Sequence, residues 1–205
     1  MLDRVAGVLL AAGEGSRLGR PKALVEFGGR TLAERGVAML RAGGADPVLL
    51  VTGAVDANVD GARAVTNPDW RTGMGSSVRA ALASLGDGHG ASLGDGHGAS
   101  LDGAVVIALA DQPLVGAGSV ARLIAAYRAG ASVAVATYDG KPRNPVLIAR
   151  EHWPAVAELA TGDSGARAFL RARQDLVTRV ECGDTGSPDD IDTPEDLARI
   201  TLNQK

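Results

Sequence analysis

The stretch that decides the fold is Val8-Leu-Leu-Ala-Ala-Gly-Glu-Gly-Ser-Arg-Leu-Gly-Arg-Pro-Lys22. It completes an apolar run over 5–12 that is short and rich in Val and Leu, which predicts a buried strand of a parallel sheet. Three glycines follow at positions 13, 15 and 19, together with the cations Arg17 and Lys22. The backbone amides of such a loop can approach an anion closely, while fixed positive charge converges on it. The stretch therefore predicts a phosphate-binding loop at the carboxyl end of a first strand.

Two better-known phosphate loops do not fit this stretch. A dinucleotide-binding turn needs G-x-G-x-x-G, whereas here the third glycine falls one place late, and the second apolar run ends in Thr52-Gly53 without an acid for a ribose. A dinucleotide-dependent oxidoreductase is therefore only a distant alternative. A P-loop needs Gly-Lys-Ser or Gly-Lys-Thr, but Lys22 lies between Pro21 and Ala23, which excludes that loop.

The pattern L-A-A-G-x-G-S-R-x-G-x-P-K resembles the signature of nucleotidyltransferases with a glycosyltransferase-A-like fold. It is most similar to the molybdenum cofactor cytidylyltransferase branch of the MobA-like NTP transferases. The resemblance implies one α/β domain over 1–205, Rossmann-like, with a mainly parallel sheet and helices on both faces. It implies transfer of CMP from CTP to a phosphorylated acceptor, molybdopterin or molybdenum cofactor, with release of pyrophosphate. The alternatives are a guanylyltransferase on the same cofactor, a sugar-phosphate nucleotidyltransferase and a non-catalytic nucleotide-binding module.

Composition agrees with a small-molecule enzyme. The 205 residues are 45% hydrophobic and 22% charged, enough for one well-cored domain. A net charge of -3 without a cationic run argues against nucleic acid or an anionic membrane as the main partner. The single cysteine, Cys182, and the lack of a signal segment before the first strand predict a cytoplasmic protein. Aromatic residues are only 3%, so we expect a base to be recognised by backbone and small polar groups.

Polar residues stand at the ends of two predicted strands: Thr52 is the last residue of 47–52, and Asn67 follows 62–66. Ligands bind at the carboxyl ends of strands in parallel sheets, so both residues are predicted to bind the nucleotide. Ser77 precedes a predicted helix over 78–85, where it is either a helix cap or a donor to the nucleotide. The resemblance favours the donor role, since relatives carry a similar Gly-x-x-x-Ser pattern.

A metal site is predicted from two acids far apart in the sequence. Asp111 follows the apolar run 104–110, and it is not expected to cap the next helix because Ser119 is the nearer cap. The family carries a matching Asp-x-Pro, which together with this position predicts a metal ligand. The resemblance also implies that Asp192, just before the helix cap Thr193, completes a Mg²⁺ site opposite Arg17 and Lys22; Asp190 is the reserve candidate.

The acceptor pocket is implied by two further motifs. Asn144-Pro145 begins a strand after a predicted hairpin tip, and in the family this strand start borders the acceptor. The sequence Gly-Asp-Ser-Gly-Ala-Arg over 162–167 also resembles the family. Arg167 could bind an acceptor phosphate bidentately, or it could be a solvated helix cation, and the sequence leaves both open.

An eight-residue unit, ASLGDGHG, occurs at 83–90 and again at 91–98. His89, His97 and the neighbouring acids Asp87 and Asp95 could be imagined as a metal site. Alternating glycines leave such ligands unordered, so ordering them would cost conformational entropy. We therefore predict that 83–98 is a solvated glycine-rich loop inserted in the domain.

These assignments give each candidate residue a role. Arg17, Lys22 and Asp111 are predicted to be catalytic. Nucleotide binding is assigned to Leu10, Ala11, Ala12, Gly13, Gly15, Lys22, Thr52, Asn67, Ser77 and Asp111, and acceptor binding to Asn144 and Arg167. Guanylyl-transferring relatives usually have Gly-Gly where this chain has Ala12-Gly13, and a methyl group at Ala12 suits a pyrimidine better than a purine. A transient contact with a molybdoenzyme or its chaperone would follow from such an activity.

Overall fold

A computed structural model of the protein describes residues 4–86 and 103–202. The strands are β1 (Val5–Leu10), β2 (Glu26–Phe27), β3 (Arg30–Thr31), β4 (Val48–Thr52), β5 (Arg63–Thr66), β6 (Ala104–Leu109), β7 (Val133–Tyr138), β8 (Lys141–Ala149) and β9 (Val177–Glu181). The α-helices are α1 (Leu32–Ala42), α2 (Met74–Gly86), α3 (Ala117–Arg128), α4 (Trp153–Leu159), α5 (Arg167–Ala172) and α6 (Pro194–Leu202).

A seven-stranded sheet in the order β5-β4-β1-β6-β8-β7-β9 organises the molecule. β1 is central and pairs in parallel with both β4 and β6, so that Leu10 lies beside Val51 on one side and Leu109 on the other. Only β8 runs against its neighbours, because it returns from β7 through a hairpin. The amino end of β8 therefore lies at the same edge of the sheet as the carboxyl ends of β1, β4, β5 and β6. The prediction of a mainly parallel sheet is confirmed.

Helices cover both faces of this sheet and form two apolar layers. Alternate residues of β1 point to opposite faces: Val8 belongs to the layer with α2, α4 and α5, and Leu9 to the layer with α1 and α3. This alternation follows from the twofold periodicity of a strand. The prediction of helices on both faces is confirmed as well. Within residues 4–86 and 103–202, no helix is long and apolar enough to cross a membrane.

Two helices begin earlier than the sequence predicts. α2 begins at Met74, which places Ser77 in its first turn and rules out the predicted cap role. α3 begins at Ala117 with Gly116 as its N-cap, so the prediction that Ser119 caps it is wrong. The Ser119 hydroxyl instead donates to the carbonyl oxygen of Gly116 at 2.6 Å. In both cases the helix takes up small residues and glycines ahead of the apolar run on which the predictions relied.

The duplicated segment is only partly described. α2 continues to Gly86, so residues 83–86 are helical and the predicted loop does not begin at position 83. The remaining part of the insertion, with the acids and histidines at Asp87, His89, Asp95 and His97, lies outside the described residues.

Candidate active site

A cleft of about 460 Å³ opens at the carboxyl edge of the sheet, over the ends of β1 and β6. Its opposite wall is the segment that leads into α2, together with Asp163. Most of the residues predicted to bind the nucleotide line this cleft. They are Leu10, Ala11, Ala12, Gly13, Lys22, Ser77 and Asp111.

The glycine loop after β1 forms one wall of the cleft. A turn closes where the amide of Leu18 donates to the carbonyl oxygen of Gly15 at 2.8 Å. Gly15 has φ +61, and a Cβ atom there would overlap the carbonyl oxygen of Arg20, so only glycine fits this position. Gly15 is not among the lining residues, and it therefore shapes the loop rather than facing the cleft. Lys22 follows at the start of a short helical turn that is anchored by the buried side chain of Ala23.

Lys22 lies between two carboxylates. Its Nζ atom donates to Asp111 Oδ2 at 2.6 Å and to Asp192 Oδ1 at 2.5 Å, and the guanidinium of Arg17 lies 3.4 Å from Asp192 Oδ2. The side chains of Lys22 and Asp111 are only 21% and 20% exposed. Burial acts to lower the pKa of Lys22, but the charges and hydrogen bonds of Asp111 and Asp192 outweigh it and raise that pKa above its usual value. Lys22 is therefore a cation throughout the neutral pH range.

The structure thus brings Asp111 and Asp192 to one point, although 81 positions separate them in the sequence. The expectation that the acids face the cations across the cleft is wrong. Both carboxylates contact the Lys22 ammonium directly, because opposite charges at the same sheet edge attract strongly when they are shielded from water.

This carboxylate pair fits a hard divalent cation. Asp111 Oδ1 is buried and has no hydrogen-bond partner among the described residues, which leaves a carboxylate oxygen available to a ligand. The two acids already converge on one positive charge, that of Lys22. Oxygen donors of this kind are what Mg²⁺ and Mn²⁺ bind, through one or two carboxylates with phosphate and water oxygens. Asp111 and Asp192 would hold such an ion.

A network of hydrogen bonds positions Asp192. The chain before Asp192 runs along the segment after β6. The amide of Ser187 donates to the backbone carbonyl oxygen of Leu114 at 3.1 Å, and the amide of Ile191 donates to the backbone carbonyl oxygen of Asp111 at 2.8 Å. The Ile191 side chain is fully buried against α6 and the β2–β3 hairpin. After Asp192, Thr193 Oγ1 accepts the amide of Asp196 at 3.2 Å, as predicted for a helix cap. Asp192 is therefore fixed on both sides.

Asp190 faces a different partner. Its Oδ1 accepts a hydrogen bond from Gln112 Nε2 at 2.8 Å, and Gln112 Nε2 also lies 3.1 Å from the carbonyl oxygen of Pro188. Burial, and then the negative charge of Asp111, raise the pKa of Asp190 above its ordinary value. Asp192 rather than Asp190 shares the Lys22 ammonium with Asp111.

Thr52 and Asn67 do not lie on the cleft surface. Both are buried, and neither is among the lining residues. Asn67 Nδ2 donates to Ser76 Oγ at 2.8 Å and to Ser77 Oγ at 3.0 Å, while Asn67 Oδ1 accepts the amide of Asp69. The Asn67 amide is thus occupied by Ser76, Ser77 and Asp69, and among these three partners only Ser77 lines the cleft.

A second, narrow pocket adjoins the cleft and shares Leu10, Met74 and Leu109 with it. Asn144 and Arg167 both line this pocket, although 23 positions separate them in the sequence. Asn144 reaches it because β8 is antiparallel and begins at the cleft edge, and Arg167 reaches it as the first residue of α5. The structure thus brings together the two residues predicted to bind the acceptor.

Eight further residues line the cleft, and four of them have polar or aromatic side chains: Glu14, Trp70, Arg71 and Asp163. The Arg71 guanidinium lies 4.4 Å from the centre of the Trp70 ring, a cation–π contact. The indole also packs on Gly53 at the end of β4, where a Cβ atom would overlap it. The low aromatic content did not indicate an aromatic side chain here, and Trp70 nevertheless lines the cleft. The signal for it was its position, three residues beyond Asn67 at the same sheet edge.

The fold and the cleft define an α/β protein with a small-molecule site at the carboxyl edge of its sheet, where cations and carboxylates lie together. Residues 7–177 match the MobA-like NTP transferase domain, and the chain belongs to this family of nucleotidyltransferases.

Similar proteins include an oxidoreductase and two solved mycobacterial structures. The chain is 39% identical to nicotine blue oxidoreductase of Paenarthrobacter nicotinovorans, over 97% of each chain. It is also similar to the crystal structure of an Rv0371c homologue from Mycobacterium sp. strain JC1, with a TM-score of 0.80 and 31% identity over 99% of this chain and 98% of that one. The Rv0371c protein of Mycobacterium tuberculosis H37Rv, in a complex with manganese, has a TM-score of 0.69 and 26% identity over 98% of this chain and 100% of that one.

Proposed function

We propose that the protein is a cytidylyltransferase that transfers CMP from CTP to a phosphorylated acceptor, molybdopterin or molybdenum cofactor, and releases pyrophosphate. The observation that carries the proposal is the contact of Lys22 with both Asp111 and Asp192 at the end of the glycine loop. This arrangement supports handling of a metal-bound triphosphate. A transient encounter with a molybdoenzyme or its chaperone would deliver the product.

The proposed reaction is an in-line displacement at the α-phosphorus of CTP by a terminal phosphate oxygen of the acceptor. A phosphate monoester has a second pKa of about 6, so this nucleophile is ionised at neutral pH and needs no general base. Lys22, Arg17 and the amides of the glycine loop stabilise the negative charge that develops on the leaving pyrophosphate. Mg²⁺, held by Asp111 and Asp192, would supply further charge neutralisation on the triphosphate.

The second pocket, of about 20 Å³, supports contact with one small terminal group of a phosphorylated acceptor, and the rest of the acceptor would lie in the adjoining cleft. Arg167 offers a planar guanidinium that can bind phosphate bidentately, and Asn144 offers an amide beside it. Because the pocket adjoins the nucleotide cleft at Leu10 and Leu109, an acceptor held there would lie next to the nucleotide.

The direct test is pyrophosphate release by the purified protein with Mg²⁺ and molybdopterin, using CTP, GTP, ATP and UTP in turn. We expect release with CTP and a product whose mass is that of the acceptor plus CMP. Pyrophosphate release only with GTP would favour a guanylyltransferase. Release only when a sugar phosphate replaces molybdopterin as acceptor would favour a sugar-phosphate nucleotidyltransferase. Nucleotide binding without any release would identify a non-catalytic module.

The choice of base gives a prediction at Ala12. Its side chain is at the end of the apolar run and lines the cleft. Ala12→Gly removes one methyl group, and we expect it to raise kcat/KM for GTP relative to CTP by roughly tenfold, the scale of a single methylene in a pocket. The measurement is steady-state pyrophosphate release with the two nucleotides. The matched control is Ala6→Gly, since Ala6 lies on β1 within the core layer under α2 and does not line the cleft. An equal shift in the two variants would point to backbone flexibility, and no shift at Ala12 would remove it from base selection.

An oxidoreductase is the second candidate, favoured by the 39% identity to nicotine blue oxidoreductase. Reduction of an aromatic substrate would need an electron donor such as a nicotinamide dinucleotide. The spacing of Gly13, Gly15 and Gly19 does not match the turn that such cofactors require. Incubation with NADH or NADPH and a redox dye, followed at 340 nm, separates the two functions. We expect no oxidation of the nicotinamide, and oxidation without pyrophosphate release would replace the first proposal.

A further inference from the structure

Arg71 is a cation of the cleft wall whose hydrogen-bond donors are unused. Two cations line the cleft, and the other, Lys22, donates to the carboxylates of Asp111 and Asp192. Within residues 4–86 and 103–202, Arg71 makes no ion pair or hydrogen bond through its side chain, and Asp163 on the same wall does not pair with it. The N–H donors of the Arg71 guanidinium are therefore available to a ligand in the cleft.

The Trp70 ring holds this guanidinium at the cleft. The guanidinium carbon lies 4.4 Å from the centre of the ring, a cation–π contact that does not consume the N–H donors. The indole is itself fixed, because it packs so closely on Gly53 that a Cβ atom there would overlap it. The turn is closed by a hydrogen bond from the Gly73 amide to the carbonyl oxygen of Trp70 at 3.1 Å. A guanidinium positioned in this way loses less conformational entropy on binding a ligand than a freely moving one.

The Trp70–Arg71 pair lies on the Ala12 side of the cleft. Gly53, on which the indole packs, follows β4, and the amide of the next residue donates to the carbonyl oxygen of Ala12 at 3.1 Å. Asp111 follows β6, and β1 lies between β4 and β6. The pair and the carboxylates are thus on opposite sides of β1. A nucleotide with its phosphates at the carboxylates would extend its base toward Ala12 and the pair.

The size of the cleft beside Ala12 does not distinguish cytosine from uracil, since the two pyrimidines have the same shape. They differ in the polar atoms of one edge: cytosine presents two adjacent acceptors, N3 and O2, whereas uracil carries an N3–H donor beside O2. A guanidinium offers two parallel N–H donors, as in its contacts with carboxylates and base edges. Such a fork matches the edge of cytosine and opposes the N3–H of uracil.

We infer that Arg71, positioned by Trp70, selects cytosine over uracil by donating a pair of hydrogen bonds to N3 and O2 of the base. The inference rests on the proposed function, since it concerns the base of the nucleotide that the enzyme would use. Base selection is then divided between two residues: Ala12 disfavours purines by size, and Arg71 distinguishes the pyrimidines by their hydrogen-bonding pattern.

The test measures equilibrium binding without an acceptor. The full-length protein is titrated calorimetrically, in the presence of Mg²⁺, with non-hydrolysable analogues of CTP, UTP and GTP. We expect the wild type to bind the CTP analogue at least about tenfold more tightly than the UTP analogue, because a donor left facing N3–H is unpaired. In Arg71→Met, which keeps an unbranched side chain but removes the donors, the two affinities should agree within about threefold.

Arg20→Met is the matched control, since Arg20 is an exposed cation of the glycine loop that does not line the cleft. Loss of its charge affects both analogues equally, so the ratio of their affinities should stay at the wild-type value. The 3-deaza form of the CTP analogue, in which C–H replaces N3, tests the contact without a substitution in the protein. It should bind the wild type at least about tenfold more weakly than the CTP analogue, and Arg71→Met equally well.

The outcomes separate this inference from the proposed function. An unchanged ratio of CTP to UTP affinity in Arg71→Met would assign Arg71 to general attraction of the phosphates and overturn the inference. A wild type that prefers the CTP analogue but binds its 3-deaza form equally well would overturn it too, while leaving the proposed function intact. A wild type that binds the UTP or GTP analogue as tightly as the CTP analogue, or more tightly, would overturn the choice of CTP itself, and this inference with it.

Discussion

Lys22→Ala is expected to lower kcat for pyrophosphate release by roughly 100- to 1,000-fold or more, since removing one preorganised donor to developing charge costs about 3 to 4 kcal/mol. Lys22 lines the nucleotide cleft, and its raised pKa keeps it charged at the pH of the assay. The effect should fall mainly on kcat, because the charge on the leaving pyrophosphate is greatest in the transition state.

The control for Lys22→Ala must separate loss of catalysis from repulsion between Asp111 and Asp192, the two acids that Lys22 contacts. Without the ammonium, the carboxylates of Asp111 and Asp192 face each other uncompensated, so some loss of thermal stability is expected. Lys22→Ala combined with Asp192→Asn relieves that repulsion and should recover the melting temperature but not the turnover. Arg20→Ala is the matched surface change and should keep normal turnover, since Arg20 is an exposed cation of the same loop. Near-normal turnover by a folded Lys22→Ala protein would remove Lys22 from the mechanism.

Asp111→Asn is expected to abolish binding of Mn²⁺ in the presence of the CTP analogue and to lower kcat by roughly two to three orders of magnitude, the loss typical of one electrostatic group. Asparagine keeps the shape of the side chain but removes the negative charge that attracts the ion. Electron paramagnetic resonance of Mn²⁺ reports binding, and pyrophosphate release reports turnover.

Asp192→Asn should behave like Asp111→Asn, because the two acids share one cation position. Asp190→Asn is the matched acid at the same edge, and it should retain Mn²⁺ binding because its carboxylate is bound to Gln112. An Asp111→Asn protein that binds Mn²⁺ and turns over normally would show that the acids are not the metal ligands.

The sequence predicted the part of the molecule that follows from apolar runs. β1, β4 and β6 are short stretches of buried Val, Leu and Ala, and their parallel pairing places Asp111 beside the glycine loop. The site residues on these strand ends needed only chain order and the rule that parallel strands end at one edge. The starts of α2 and α3 were missed because glycines and serines ahead of an apolar run give a weak helix signal.

The details that escaped prediction depend on contacts between distant segments. The sequence does not indicate that Asn67 uses its amide on Ser76 and Ser77, or that Gln112 reaches Asp190, since both bonds depend on side-chain orientation. The position of Lys22 between two acids depends on where the segment before α6 pairs with the residues after β6. No local sequence pattern encodes that long-range pairing. The aromatic content of the whole chain also did not indicate that Trp70 would line the cleft.

Because β8 is antiparallel, the second pocket is built from a different part of the chain than most of the cleft. Residues that line the cleft come mostly from the ends of β1 and β6 and the start of α2, whereas Asn144 and Arg167 come from the later part of the chain. The two sets meet at Leu10, Met74 and Leu109, which line both pockets. Mutations in the hairpin or at the start of α5 can therefore remodel one pocket without disturbing Lys22 and its acids. If the proposed function holds, changes at Asn144 or Arg167 would alter the choice of acceptor while leaving Lys22, Asp111 and Asp192 in place.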